Sequence, residues 1–132
     1  MDSDHKKILI IDDDARIRDI TVNVLKTLGY KAYSANDGET AIEFYQQAMD
    51  ANQSFDAVIL DLTIPNGMGG KETIIELKKI DPNVKAIISS GYSSDPVILE
   101  YKKYGFCGAI NKPYRIEEIS QIIKQVLDDE KE

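Results

Sequence analysis

Short apolar runs alternate along the chain with longer stretches in which apolar residues return every three or four positions. The short runs lie at residues 8–11, 30–35, 57–60, 84–89 and 106–110. The first, third and fourth are continuous and aliphatic, which predicts strands covered on both faces. The longer stretches predict amphipathic helices. Ile17, Ile20, Val24 and Leu28 mark the first, and Ala41, Tyr45 and Ala48 the second. Ile74 and Leu77 mark the third, Val97, Tyr101 and Tyr104 the fourth, and Ile116, Ile119, Ile123 and Val126 the fifth. The punctuation agrees. Asn36 with Glu39 has capping-box spacing, Gly29 sits where a helix C-terminal cap belongs, and Asp95-Pro96 supplies an N-cap and a first-turn proline. "DPN" at 81–83 predicts a turn before the fourth strand. Five strands alternating with five helices imply an α/β fold, an open parallel sheet with helices on both faces. Ligands of such sheets bind beyond the carboxyl ends of the strands, where the strand order reverses.

Length and charge narrow the picture. A chain of 132 residues fits one domain with one substantial core. A formal net charge of -7 argues against nucleic acid or an anionic membrane surface as the main partner and in favour of a cation. Cys107 is the one cysteine, so no intramolecular disulfide forms within the chain; it reads as a packing residue in a reducing, cytoplasmic compartment. The one histidine, His5, lies in "MDSDHKK", which is too polar for a signal peptide or a membrane span, and residues 1–6 are expected to be a frayed terminus.

The chemistry concentrates where "KKILIIDDD", residues 6–14, turns from four aliphatic side chains to three carboxylates. Adjacent like charges repel, so a cation is expected beside them. Asp12 and Asp13 end the first strand and Asp61 ends the third. If those strands are neighbours, the carboxylates converge into the hard-oxygen set that Mg²⁺ takes, with several waters retained. Ser90 and Lys112 end the fourth and fifth strands on the same side. A hydroxyl, an ammonium and a metal around one carboxylate would neutralise a phosphoryl group in transfer. Asp61 is the natural nucleophile, being central and ionised at neutral pH without a general base. Singly, "DDD" also reads as a helix cap, Ser90 as a loop hydroxyl and Lys112 as a surface lysine. Their coincidence at consecutive strand ends is the specific signal.

As an ordered set, "ILIIDDD", "VILDLTIP", "IISSGYS" and "GAINKPY" resemble the receiver domain of two-component response regulators over nearly the whole chain. The resemblance implies a flavodoxin-like, doubly wound five-stranded parallel sheet of order 2-1-3-4-5, with the receiver domain at 7–128 and a polar tail at 129–132. It implies that Asp61 accepts a phosphoryl group from a phosphohistidine on a sensor histidine kinase or a histidine phosphotransfer domain, with slow self-dephosphorylation. Asp13 would ligate Mg²⁺ directly, Asp12 through water, and Thr63 through its backbone carbonyl. Ser90, followed by Gly91, would bond the phosphoryl group, as would Lys112, which is followed by a cis-prolyl turn at Pro113. Asp14 reads as the cap of the first helix rather than as a ligand. Neither nucleic acid nor direct membrane contact is expected.

"DLTIPNGMGGKE" and "SSGYSSDP" look most like receivers attached to hybrid sensor histidine kinases. Only "DDEKE" follows the fifth helical segment, so neither a kinase nor a DNA-binding part is expected within these 132 residues. Two departures from the family pattern stand out. The loop "NGMGG" is one residue longer and richer in glycine, and Ala109 stands where many receivers carry a Tyr or Phe that changes rotamer on phosphorylation. Tyr92 is then the nearest aromatic to take that role. Rival readings are weaker. A haloacid-dehalogenase-like phosphatase would use Asp12 as nucleophile and Asp14 as general acid, yet Arg16 replaces the Thr or Val usual two places after the second Asp, and no cap domain fits. A P-loop reading of "GMGGKET" fails because Glu72 follows Gly-Lys where Ser or Thr is needed. A pseudo-receiver that binds without chemistry would not need Asp12, Asp13, Asp61, Ser90 and Lys112 together.

Overall fold

The computed structural model describes residues 6–65, 67–91 and 94–128. The elements are β1 (Lys7–Ile11), α1 (Ala15–Thr27), β2 (Lys31–Ala35), α2 (Gly38–Asp50), β3 (Ala57–Asp61) and α3 (Gly70–Ile80), then β4 (Ala86–Ser90), α4 (Pro96–Leu99), a 3-10 turn (Tyr101–Tyr104), β5 (Gly108–Asn111) and α5 (Ile116–Asp128). All strands are parallel in the order β2-β1-β3-β4-β5, the doubly wound arrangement expected from the sequence.

The period-two geometry of the strands divides the core into two layers. Leu9, Ile11, Val58, Leu60, Ala86 and Ile88 face Ala41 and Tyr45 of α2, Ile74 and Leu77 of α3, and Val97 of α4. Ile8, Ile10, Ile59, Ile87 and Ile110 face Leu25 of α1 and Ile119, Ile123 and Val126 of α5. Both faces of the central strands are thus covered, which is why β1, β3 and β4 read as unbroken apolar runs. Among the described residues, no helix is long and apolar enough to cross a membrane.

Several local expectations hold and others shift. Asp14 caps α1 by accepting from Arg16 N, and Asp95 caps α4 by accepting from Val97 N, with Pro96 in the first turn. Gly29 has φ 98°, a left-handed conformation that only glycine adopts without strain, and its N–H bonds back to Lys26. The cap of α2, however, is Asp37 rather than Asn36: Thr40 N donates to Asp37 Oδ1 at 2.8 Å. Glu39 turns instead to the β3–α3 loop, where Met68 N donates to Glu39 Oε1 at 3.1 Å. The fourth helix is shorter than its apolar spacing predicts. Glu100 leaves helical geometry at φ -120°, ψ 43°, and the remaining turn is 3-10, closed by the left-handed Gly105. Strand edges move by one or two residues: Val84, Lys85, Phe106 and Cys107 lead into β4 and β5 rather than belonging to them. His5, Tyr92 and residues 129–132 lie outside the described residues.

Candidate functional site

Register aligns the chemistry. Ile11 pairs with Leu60, so the next residues, Asp12 and Asp61, stand level at the carboxyl edge of adjacent strands. Asp61 pairs with Ser89, Ser90 pairs with Asn111, and Lys112 N donates to Ser90 O at 2.9 Å. The strand order reverses between β1 and β3, where the sheet geometry opens a crevice. That crevice is a cleft of about 460 Å³ lined by Asp12, Asp13, Asp61, Thr63, Ser90 and Lys112, together with Asp14, Pro65 and Gly91. Every residue singled out from the sequence for metal or phosphoryl binding therefore lies in one place.

The cation expected beside the acidic run turns out, in the first instance, to be a side chain. Lys112 Nζ lies 2.6 Å from Asp12 Oδ2 and 3.0 Å from Asp61 Oδ2. Burial alone would lower the ammonium pKa, but the Asp12 and Asp61 carboxylates outweigh it and hold Lys112 above its usual value. Burial also raises the Asp61 pKa, with Asp12 adding in the same sense, while the Lys112 hydrogen bond and charge and the Thr63 N–H oppose the shift. One ammonium does not balance three carboxylates, so the cleft keeps an excess of negative charge.

Asp12 is 1% exposed, and its two oxygens differ. Asp14 N donates to Oδ1 at 2.9 Å, whereas buried Oδ2 is engaged by the Lys112 ammonium at 2.6 Å. Asp13 is exposed at the mouth, and one oxygen from each of Asp12, Asp13 and Asp61 lies within 4.8 Å of the others. Three convergent carboxylates answered by a single ammonium fit a small hard cation as well.

Two contributors escaped the sequence reading. Arg18 Nη1 donates to the backbone carbonyl of Asp12 at 2.7 Å, bracing the end of β1 from the first turn of α1. Its spacing from Asp12 was visible, but nothing local marks a guanidinium that folds back onto a carbonyl. The second is the pair Ser89 and Tyr114, whose hydroxyls are hydrogen-bonded. Asp14 behaves as expected, as a cap that also lines the cleft. The Lys112-Pro113 bond is cis, as the resemblance implied. The extended β3–α3 loop is held by close approach to α2: Gly38 N donates to Met68 O at 3.2 Å, and a Cβ at Gly38 would collide with Thr73 Oγ1 and Met68 O.

Comparison with known proteins gives one answer. Sporulation initiation phosphotransferase F of Bacillus subtilis (strain 168) is 34% identical over 123 residues, covering 93% of this chain and 94% of that protein. Chemotaxis protein CheY of Thermotoga maritima is 32% identical over 122 residues, covering 92% and 97%. The solved CheY-like receiver domain protein from Methanospirillum hungatei JF-1 superposes with a TM-score of 0.82 at 28% identity, covering 96% of each chain. The family model described as the response regulator receiver domain matches residues 8–124, and the chain belongs to that family, the receiver domains of two-component signalling.

Proposed function

We propose that Asp61 is the phosphoacceptor of this receiver, that the receiver is cytoplasmic, and that it takes its phosphoryl group from the phosphohistidine of a sensor histidine kinase or histidine phosphotransfer domain. A carboxylate oxygen of Asp61 bonds to phosphorus as the P–N bond breaks. The bonding pair stays on the imidazole nitrogen, and an acyl phosphate remains on Asp61. The observation that carries this reading is the approach of Lys112 to Asp61 at 3.0 Å from the end of β5. It sets a fixed positive charge beside the one carboxylate that is central to the cleft, where equatorial phosphoryl oxygens need neutralising. Ser90, 3% exposed and lining the same cleft, is the hydroxyl for a further phosphoryl oxygen.

Asp13 and Asp61 would hold Mg²⁺ directly with the Thr63 carbonyl, and Asp12 would hold it through water. The water-mediated role suits Asp12 because Asp14 N and Lys112 already engage its two oxygens. When bound, the metal supplies charge neutralisation and orientation for the transferring group. Acetyl phosphate with Mg²⁺, followed by borohydride reduction and peptide mapping, tests the assignment. Modification confined to Asp61 is expected; modification at Asp12 would replace this reading with the phosphatase-like one.

A further inference from the structure

Ser89 is a hydroxyl with no exposure at all, set in a strand whose other side chains are apolar apart from the neighbouring Ser90. A buried hydroxyl without a partner costs free energy, and a methyl group would pack there without that cost. Its partner is the phenol of Tyr114, twenty-five residues along the chain. The position of each is what makes the bond consequential. Ser89 is the register partner of Asp61, and Leu62 N donates to Ser89 O at 2.8 Å, so its backbone is fixed to the end of the acceptor strand. Tyr114 lies two residues beyond Lys112, and its ring packs among the side chains between the sheet and α5. The backbone bond from Lys112 N to Ser90 O ties the same two segments once more.

From this arrangement we infer that the Ser89–Tyr114 hydrogen bond is a positioning latch that fixes the Lys112 ammonium against Asp61. The inference rests on the phosphoacceptor reading of Asp61. Neither hydroxyl touches the transferring group. Their bond holds the segment after β5 to the end of β4, and so fixes the stem of the lysine whose tip must stay near 3.0 Å from Asp61 Oδ2. Positioning at that scale governs rate more than binding, because a displaced charge meets the transition state poorly even where the ground state is little changed. Neither hydroxyl is among the groups that would hold the metal, so saturating Mg²⁺ isolates the positioning effect on the rate.

Three variants test the latch. Tyr114→Phe keeps the ring and removes the hydroxyl, Ser89→Ala removes its partner, and Ser89→Thr restores a hydroxyl. At saturating Mg²⁺, labelling by acetyl phosphate should slow about fivefold in Tyr114→Phe and in Ser89→Ala, the rate equivalent of one neutral hydrogen bond. The double variant should be no slower than either single one, because both remove the same bond. Ser89→Thr should keep most of the wild-type rate. The NMR signals of the Lys112 ε-methylene, recorded without phosphoryl donor, should shift in Tyr114→Phe. Wild-type rates in both single variants, multiplying effects in the double variant, or an unmoved Lys112 signal would overturn the latch. A wild-type protein that does not label, with the Lys112 signal shifted as expected, would overturn the phosphoacceptor reading and leave the latch standing.

Discussion

The ammonium of Lys112 sits 2.6 Å from Oδ2 of Asp12, a carboxylate oxygen that is otherwise buried without a hydrogen bond. Removing either partner strands a charge. In Lys112→Ala, Asp12 and Asp61 face each other without a counter-ion, and the fold should lose about 3 kcal/mol, the low end for breaking a buried pair because the Lys112 side chain is 18% exposed. Urea unfolding without metal measures that loss. Added Mg²⁺ should recover more stability in Lys112→Ala than in wild type, because the metal then replaces the one cation that lines the cleft among the described residues.

Metal binding should itself be visible as stability. A ligand of the folded state alone adds about 1.4 kcal/mol at ten times its Kd. Magnesium at that level should raise the melting temperature of the wild type. Asp13→Asn should raise the metal-free melting temperature, because Asp13 adds repulsion that Lys112 does not answer directly, and should remove the Mg²⁺ effect. A thermal scan of both proteins with and without Mg²⁺ separates the two contributions.

At high pH the fold should weaken through Tyr45. Burial, then the hydrogen bond to Asp81 and the charges of Asp81 and Asp56, push the Tyr45 phenol far above its usual value. Tyr45 OH donates to Asp81 Oδ2 at 2.7 Å. A group with a raised pKa in the folded state contributes stability that is complete below its unfolded pKa. Above that pH the unfolded chain ionises first and the contribution falls. Loss should therefore begin near pH ~10, the unfolded phenol value. Tyr45→Phe should cost about 1 kcal/mol at neutral pH and flatten the alkaline decline. Lys112, also raised, weakens the fold in the same direction, so the decline in Tyr45→Phe should be shallower without disappearing.

Switching should run through the loop after β4. Phosphorylation adds about 1.5 to 2 negative charges, which draw the Ser90 hydroxyl and the Lys112 ammonium toward the phosphoryl oxygens. Ala109, on β5 beside the 3-10 turn carrying Tyr101 and Tyr104, has no side-chain rotamer to couple that movement. Backbone NMR with beryllofluoride, a stable phosphoryl mimic, should show shifts concentrated at residues 89–96. They should vanish in Ser90→Ala and spread over α4 and β5 in Ala109→Tyr. Wild-type shifts centred on 106–110 instead would contradict this route.

The parallel sheet and the common edge of its polar residues were legible because both follow from short-range pattern, whereas the strand order that sets β1 beside β3 came from the resemblance to receiver domains. Unbroken aliphatic runs require strands covered on both faces, and once the strands are parallel, Asp12, Asp61, Ser90 and Lys112 must end on one side. What escaped depends on contacts between distant segments. Asn36 and Asp37 are equally able to cap; Asp37 does so while Glu39 is diverted to Met68, twenty-nine residues away. The spacing of Val97, Tyr101 and Tyr104 suits one helix, but it carries no sign of the break at Glu100. Lys112 was expected as a donor to a phosphoryl group. That it also serves as the resting counter-ion of Asp12 follows only from the 2.6 Å approach.

Whether Asp61 is the phosphoacceptor is decided most directly by intact mass after incubation with acetyl phosphate and Mg²⁺. Wild type should gain one phosphoryl group, Asp61→Asn none, and Asp12→Asn a reduced fraction, since an amide is a poor nucleophile whereas a ligand acting through water is partly replaceable. Labelling that persists in Asp61→Asn and disappears in Asp12→Asn would contradict the account.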